Sequence, residues 1–119
     1  MWPLDPQGEV LVILQIEDTR GIENLPDILK QVPGIGVILI GEGDLSQELG
    51  YPRQYDHPTV AAAIGEIVKT CLAHNVVVGH AHVDATNAER VLQMGYRFLM
   101  CAPVRSYASL EKARGLAGL

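Results

Sequence analysis

The stretch that decides the fold of this chain is GVILIGEGDLS, residues 36–46. Its first five residues form an uninterrupted apolar run, which is typical of a strand buried on both faces of a parallel sheet. A glycine-rich turn follows at once and carries Asp44. Because α/β proteins commonly place functional side chains where a strand gives way to a loop, this turn is a candidate site.

A second acidic residue ends an earlier apolar run. Residues 9–16 predict the first strand, and Glu17 follows it. Side chains alternate along a strand, so Gln15 and Glu17 share one face. Neighbouring parallel strands lie about 4.8 Å apart, so carboxylates at matching ends can converge on one cation. The alternative is that Glu17 pairs with Arg20 and that Asp44 caps a turn, and the spacing alone does not decide between the two.

Four apolar runs alternate with helical patterns along the chain. The strands are predicted at about 9–16, 36–40, 76–83 and 96–102, after an extended lead-in at 1–8. This alternation predicts an α/β fold with a parallel sheet and right-handed crossovers, in one domain over 1–119. A closed (β/α)8 TIM barrel needs about 200 to 250 residues, so four consecutive βα units amount to half of one. We therefore expect either a fragment or a half-barrel that completes itself as a homo-oligomer.

The composition excludes several classes of partner. The 119 residues carry a formal net charge of −5, and the nine Lys and Arg residues do not cluster, which argues against nucleic acid. No window approaches the roughly 18 consecutive apolar residues of a membrane span. The N-terminus also lacks the features of a signal peptide, so we expect a cytoplasmic protein without membrane contact. Cys71 and Cys101 lie within apolar periodic segments and are predicted to be buried free thiols.

Four short motifs give a family resemblance. They are Gln15-Ile16-Glu17, residues 33–46, Leu49-Gly50 and Asp56-His57-Pro58. Together they resemble the class II pyruvate aldolases of the HpcH/HpaI aldolase/citrate lyase family, which include 4-hydroxy-2-oxoheptanedioate and 2-dehydro-3-deoxyglucarate aldolases. The resemblance covers nearly the whole chain and corresponds to the C-terminal half of that family's (β/α)8 barrel.

The resemblance implies a metal-dependent lyase. It makes Glu17 and Asp44 the two metal ligands, and their hard carboxylate oxygens suit Mg²⁺ or Mn²⁺, with other divalent ions also acceptable. It implies that backbone amides around Gly43 and Asp44 receive the carboxylate of a 2-oxo acid such as pyruvate, and that Gln15 lines the pocket. The implied reaction is the cleavage of a 4-hydroxy-2-oxo acid to pyruvate and an aldehyde.

The same resemblance leaves the catalytic set incomplete. The family's catalytic histidine and its enolate-stabilising arginine belong to the N-terminal half of the barrel, so no catalytic residue is predicted in this chain. The alternative to an aldolase is therefore a catalytically incomplete half-barrel fragment. A further form of that alternative is an oligomeric module that binds a 2-oxo acid and a metal without turnover.

Two segments depart from the family pattern. Glu42-Gly43 replaces the usual Pro-Ala, and we expect Glu42 to add negative charge close to the anion site. Residues 102–105 read Ala-Pro-Val-Arg where relatives often have Gly-x-Asp, so the family's substrate contacts are not carried over there. Arg53 and Arg105 lie in strand-end loops, within reach of an anionic substrate, although solvated surface is the favoured interpretation.

A His-x-His pair, His80 and His82, lies in the third strand, with Asp84 just beyond it. Such a pair binds zinc or iron when a third ligand has matching geometry, and the sequence identifies no such ligand. The favoured interpretation is that one of the two histidines points into the barrel near the site and shapes the pocket.

Overall fold

Strands and helices alternate along the chain. The computed structural model describes residues 1–101 and 107–118. The strands are β1 Val12–Ile16, β2 Ile35–Ile40, β3 Val77–Val83 and β4 Phe98–Cys101; the helices are α1 Thr19–Gln31, α2 Glu42–Glu48, α3 Pro58–Ala73, α4 Ala88–Gln93 and α5 Ala108–Ala117. The strands pair in parallel in the order β1-β2-β3-β4, which confirms the predicted α/β fold of consecutive βα units.

The N-terminal lead-in lies against the residues that precede β1. The Trp2 amide donates to the Val10 carbonyl at 2.9 Å, and Trp2 forms an isolated parallel bridge with Leu11. The lead-in is therefore hydrogen-bonded to the segment that precedes β1. The strand starts at Val12, later than predicted.

A short helix, α2, directly follows β2, where the sequence predicts a glycine-rich turn. Gly41 is its N-cap residue, so Asp44 lies in the first helical turn. Leu45 is fully buried, and the Ser46 hydroxyl donates to the Gly43 carbonyl at 2.7 Å. The apolar anchor and this local bond stabilise a helical turn at a position where two glycines indicate a loop.

One face of the sheet is covered by helices. Ile38, Ile40 and Val78 belong to a buried core that also includes Leu25 of α1 and Ile67 of α3. The longest helix, α3, has 16 residues. Within the described ranges, no helix has the length and apolar character needed to cross a bilayer.

The opposite face, here called the inner face, is only partly covered, since Val37 in it is 2% exposed whereas other apolar side chains are open to solvent. Leu39, Gly79 and Phe98 pair across it in one row, and a Cβ on Gly79 would lie 3.1 Å from both neighbouring side chains. Ile13 and Met100 are 40% and 42% exposed. Large apolar side chains in this position are typical of a barrel wall whose interior is not enclosed by the residues described.

Candidate active site

Gln15 and Glu17 form a hydrogen-bonded pair at the end of β1. The Gln15 Nε2 donates to the Glu17 Oε2 at 2.5 Å, and both side chains are exposed on the inner face. The bond orients the carboxylate and leaves the Gln15 amide oxygen available as an acceptor. The two predicted site residues of β1 are therefore in contact.

Gly41 brings the end of β2 against this pair. Its amide donates to the Ile16 carbonyl at 2.9 Å, which continues the β1–β2 pairing one residue past the end of β2. A Cβ on Gly41 would lie 2.7 Å from the Glu17 Cβ and 2.9 Å from the Gln15 Nε2. Such distances are sterically forbidden, so only glycine allows the two strand ends to approach this closely.

Gly43 and Asp44 follow Gly41 in the first turn of α2. Asp44 is exposed, and a Cβ added to Gly43 would meet no heavy atom within 4 Å. The backbone at Gly43 therefore borders open space, with room for a small ligand. Gln15, Glu17 and Gly41 are in contact, whereas Asp44 makes no direct contact with Glu17 among the bonds and ion pairs of the described residues.

The structural alternatives for the two acidic residues are not observed. No ion pair joins Glu17 to Arg20 in the described part of the chain. The N-cap of α2 is Gly41, which has no side-chain cap, and Asp44 accepts no hydrogen bond there. Among the residues that the structure describes, Glu17 and Asp44 therefore pair with no cation, and neither caps a helix.

The donor set fits a hard divalent cation. It comprises the carboxylates of Glu17 and Asp44 and the amide oxygen of Gln15, which are the oxygen ligands that Mg²⁺ and Mn²⁺ prefer. No group of three or more His, Cys, Asp or Glu side chains is arranged to hold a metal within residues 1–101 and 107–118. A cation here would therefore take its remaining ligands from water or a substrate, as Mg²⁺ commonly does.

The histidine pair lies elsewhere. His80 and His82 line a cavity on the helix-covered side of the sheet, together with Ile64 of α3 and Val91 of α4. Neither histidine therefore shapes the inner face near Glu17, contrary to the interpretation favoured by the sequence. The reason is the alternation of β3: His80 pairs with Ile40 of β2, whose side chain belongs to the helix-covered core.

The proton position on His80 follows from its neighbours. The His82 amide donates to the His80 Nδ1 at 3.1 Å, so the hydrogen of the neutral ring is on Nε2, 3.4 Å from the Glu42 Oε1. Burial, with His82 and Arg90 nearby, lowers the pKa of His80 to about 4. Burial also raises the pKa of Glu42, against the opposing effect of Arg90. The pair is thus a neutral donor facing a carboxyl group.

Glu42 does not add charge to the anion site as the sequence suggests. Its side chain is buried against His80 on the helix-covered side, next to Tyr96, whose pKa burial raises. Glu42 is the first residue of α2 and not part of β2, so strand alternation does not determine the direction of its side chain, and no local pattern in the sequence indicated this position. The cluster of Glu42, His80 and Tyr96 is the feature that sequence reasoning missed.

The remaining residues singled out in the sequence are Arg53, Arg105 and the two cysteines. The Arg53 amide donates to the Ser46 hydroxyl at 2.9 Å, and its side chain is exposed. Cys71 is a buried free thiol, whereas Cys101 is free and half-buried. Arg105 and the rest of the segment 102–106 lie outside the described residues.

Comparison with known proteins gives consistent matches. The family model for HpcH/HpaI aldolase/citrate lyase matches residues 6–102. A 2-keto-3-deoxy-L-rhamnonate aldolase of Klebsiella pneumoniae is 36% identical over 95 residues, covering 80% of this chain and 35% of the relative. A hydroxypyruvate/pyruvate aldolase of Pseudomonas aeruginosa is 30% identical over 110 residues, covering 92% of this chain and 40% of the relative.

A solved structure agrees with these matches. An HpcH/HpaI aldolase/citrate lyase family protein from Burkholderia cenocepacia superposes with a TM-score of 0.75 at 26% identity. The match covers 92% of this chain and 42% of that one. The chain therefore spans between a third and a half of the length of these three relatives.

Proposed function

The chain belongs to the HpcH/HpaI aldolase/citrate lyase family, and we propose that it carries the metal-binding half of a class II aldolase site. The reaction proposed for that site is cleavage of a 4-hydroxy-2-oxo acid to pyruvate and an aldehyde. The observation that carries the proposal is the contact of Gly41 with both Gln15 and Glu17, because it joins two strand ends that bear the predicted ligands.

The residues of this chain have distinct roles in the proposed site. Glu17 and Asp44 would hold a divalent cation, Mg²⁺ or Mn²⁺, and Gln15 fixes the rotamer of Glu17 through its 2.5 Å bond. The open space beside Gly43 supports a role for nearby backbone amides in receiving the substrate carboxylate. When bound, the cation supplies Lewis acidity that favours breaking the C3–C4 bond.

Cleavage also needs groups that accept and donate protons, and these residues do not supply them. The hydrogen of the 4-hydroxyl leaves as the carbonyl of the aldehyde forms, and C3 of the pyruvate fragment gains a hydrogen. Asp44 and Glu17 are committed to the cation in this proposal, so neither is assigned as the base. We propose that the acid–base groups come from barrel strands other than the four described.

A binding module without turnover is the second candidate. It is supported by the inner face, where Ile13 and Met100 expose apolar surface on the two edge strands of the sheet. Association of two or more copies through this face would bury that surface and form a homo-oligomer. Size-exclusion chromatography with light scattering would test the association, and a purely monomeric chain would contradict it.

Pyruvate release separates the two candidates. The purified chain would be incubated with a racemic 4-hydroxy-2-oxo acid and Mn²⁺, and pyruvate measured by its enzymatic reduction with NADH. Mn²⁺-dependent release that disappears in Asp44→Asn supports the aldolase. Release that appears only when the N-terminal half of a family aldolase is added also supports the aldolase, because that half would supply the acid–base groups. No release from a chain that still binds Mn²⁺, with or without that added half, supports the module, and release that is independent of Mn²⁺ would contradict both.

A further inference from the structure

The cavity lined by His80 and His82 lies on the helix-covered side of the sheet and is separate from the inner-face site. It has a volume of about 300 Å³ and lies between the end of β3 and helices α3 and α4. Ile64, Val91 and Met94 provide apolar wall. Apolar walls with a few converging polar groups are typical of small-molecule sites.

The polar part of this cavity is buried. Glu42, His80 and Tyr96 are 8%, 7% and 1% exposed, and all three line it. The Tyr96 hydroxyl is buried without a hydrogen-bond partner among the residues that the structure describes. A buried hydroxyl without a hydrogen-bond partner lowers the free energy of unfolding. Such groups are rare in native proteins, and a bound ligand is one explanation for them. The buried side chains of Tyr96 and Glu42 thus provide polar groups in the lining of one cavity.

The charges that line the cavity favour a cation. Three carboxylates, those of Glu42, Asp56 and Asp84, face one guanidinium, that of Arg90. Arg90 is 3.4 Å from Asp56 at the exposed mouth, so its charge is already paired there. Among the described residues, the carboxylate of Glu42, deeper in the cavity, has only the neutral ring of His80 within ion-pair distance. A buried carboxylate is stabilised by a cation that can also donate hydrogen bonds.

The tautomer of His80 argues against a transition metal as that cation. Coordination through Nε2 would require the ring hydrogen to move to Nδ1, where the His82 amide already donates at 3.1 Å. Two donors would then face each other. An ammonium group has no such conflict, because it needs only acceptors, and the Glu42 carboxylate and the Tyr96 oxygen both qualify.

We propose that this cavity binds a small primary ammonium ion with a short alkyl chain. The ammonium donates to the Glu42 carboxylate and the Tyr96 oxygen, and the alkyl chain lies against Ile64, Val91 and Met94. Ligand binding gives the Tyr96 hydroxyl a partner and gives Glu42 a counter-ion. The site is independent of the inner-face chemistry, because it uses none of Gln15, Glu17 and Asp44.

The test uses n-butylammonium as the probe and the neutral 1-butanol as its near-isosteric control. Ring proton signals of Tyr96 and His80 in the full chain would be followed by NMR during titration at constant ionic strength. We expect saturable shifts with n-butylammonium and binding of 1-butanol that is roughly tenfold weaker or more, because it lacks the charge-assisted bond. Equal affinity for the two probes, or no saturable shift with n-butylammonium, would overturn the proposal.

Variants locate the binding within the cavity. Glu42→Gln keeps an acceptor for the His80 Nε2 but removes the charge, and should weaken n-butylammonium binding roughly tenfold. Tyr96→Phe should weaken it severalfold, since only the hydroxyl is lost. Glu66→Gln, an exposed change on α3, is the charge-matched control and should bind as the parent chain does. Unchanged affinity in Glu42→Gln would overturn the proposal, and the two-probe comparison remains decisive if a variant does not fold.

Discussion

Gly41 and Glu17 approach so closely that a Cβ on the glycine would lie 2.7 Å from the Glu17 Cβ. This contact links the end of β1 to the N-cap residue of α2, the helix that carries Asp44 in its first turn. The proposed metal site depends on this approach, because two acidic residues on separate strands bind one cation only if the strand ends converge.

Gly41→Ala should therefore damage both stability and metal binding. The added methyl group must displace Glu17 or Gln15, and overpacking of this kind costs about 1 to 3 kcal/mol in free energy of unfolding. Urea unfolding and a Mn²⁺ titration would measure the two effects. Full Mn²⁺ affinity in a folded Gly41→Ala chain would contradict the role given to this contact.

Gly65→Ala is the matched control for that substitution. Gly65 lies in the middle of α3, is exposed, and has no heavy atom within 4 Å of an added Cβ. Alanine is the better helix former, so the variant should gain about 0.5 to 1 kcal/mol in free energy of unfolding. A loss of stability in urea unfolding would show that α3 packs differently from the arrangement described.

The buried His80 should make stability fall in mild acid. Its pKa is lowered from 6.5 to about 4 in the folded chain, chiefly by burial. Below pH 6.5 the histidine is therefore protonated in the unfolded chain but not in the folded chain. The free energy of unfolding decreases as the pH falls to about 4, by about 3 kcal/mol in total.

Unfolding of His80→Gln between pH 4 and 7 would isolate this contribution. Glutamine cannot be protonated but retains a donor toward Glu42, so the variant should lose less stability than the parent chain as the pH falls. Glu42 has a raised pKa, so its effect has the opposite sign and is common to both chains to a first approximation. A parental pH dependence in His80→Gln would refute the assignment.

The two thiols should differ in reactivity. Burial raises the pKa of Cys71 to about 12, so almost no thiolate is present at neutral pH, whereas Cys101 is half-buried. A chromogenic disulfide reagent should label Cys101 first and Cys71 only when the chain unfolds. Cys71→Ser would identify the slow phase, and rapid loss of both thiols from the native chain would be inconsistent with the core described.

The sequence predicted those features that depend on local pattern. The apolar run from Val37 to Ile40 indicated β2, and the alternation of strands and helices indicated the parallel sheet. Gln15 and Glu17 were placed on one face by period two alone. Each of these follows from residues near one another in the chain.

Features that depend on contacts distant in sequence were not predictable in the same way. The need for glycine at position 41 arises from Glu17, on another strand, and no local rule requires it. The helix α2 depends on burial of Leu45, which outweighs the loop preference of Gly43. The position of His80 followed from pairing with Ile40, so its face could be assigned only once the register of β3 on β2 was known.

Binding of Mn²⁺ to the parent chain and to single carboxylate variants tests the central claim most directly. Calorimetric titration of Glu17→Gln and Asp44→Asn should each show affinity reduced roughly tenfold or more, since each variant removes a ligand. Asp27→Asn, an exposed change of the same charge on α1, should bind as the parent chain does. Equal Mn²⁺ affinity in all four chains, or none in the parent chain, would contradict a metal site formed by Glu17 and Asp44.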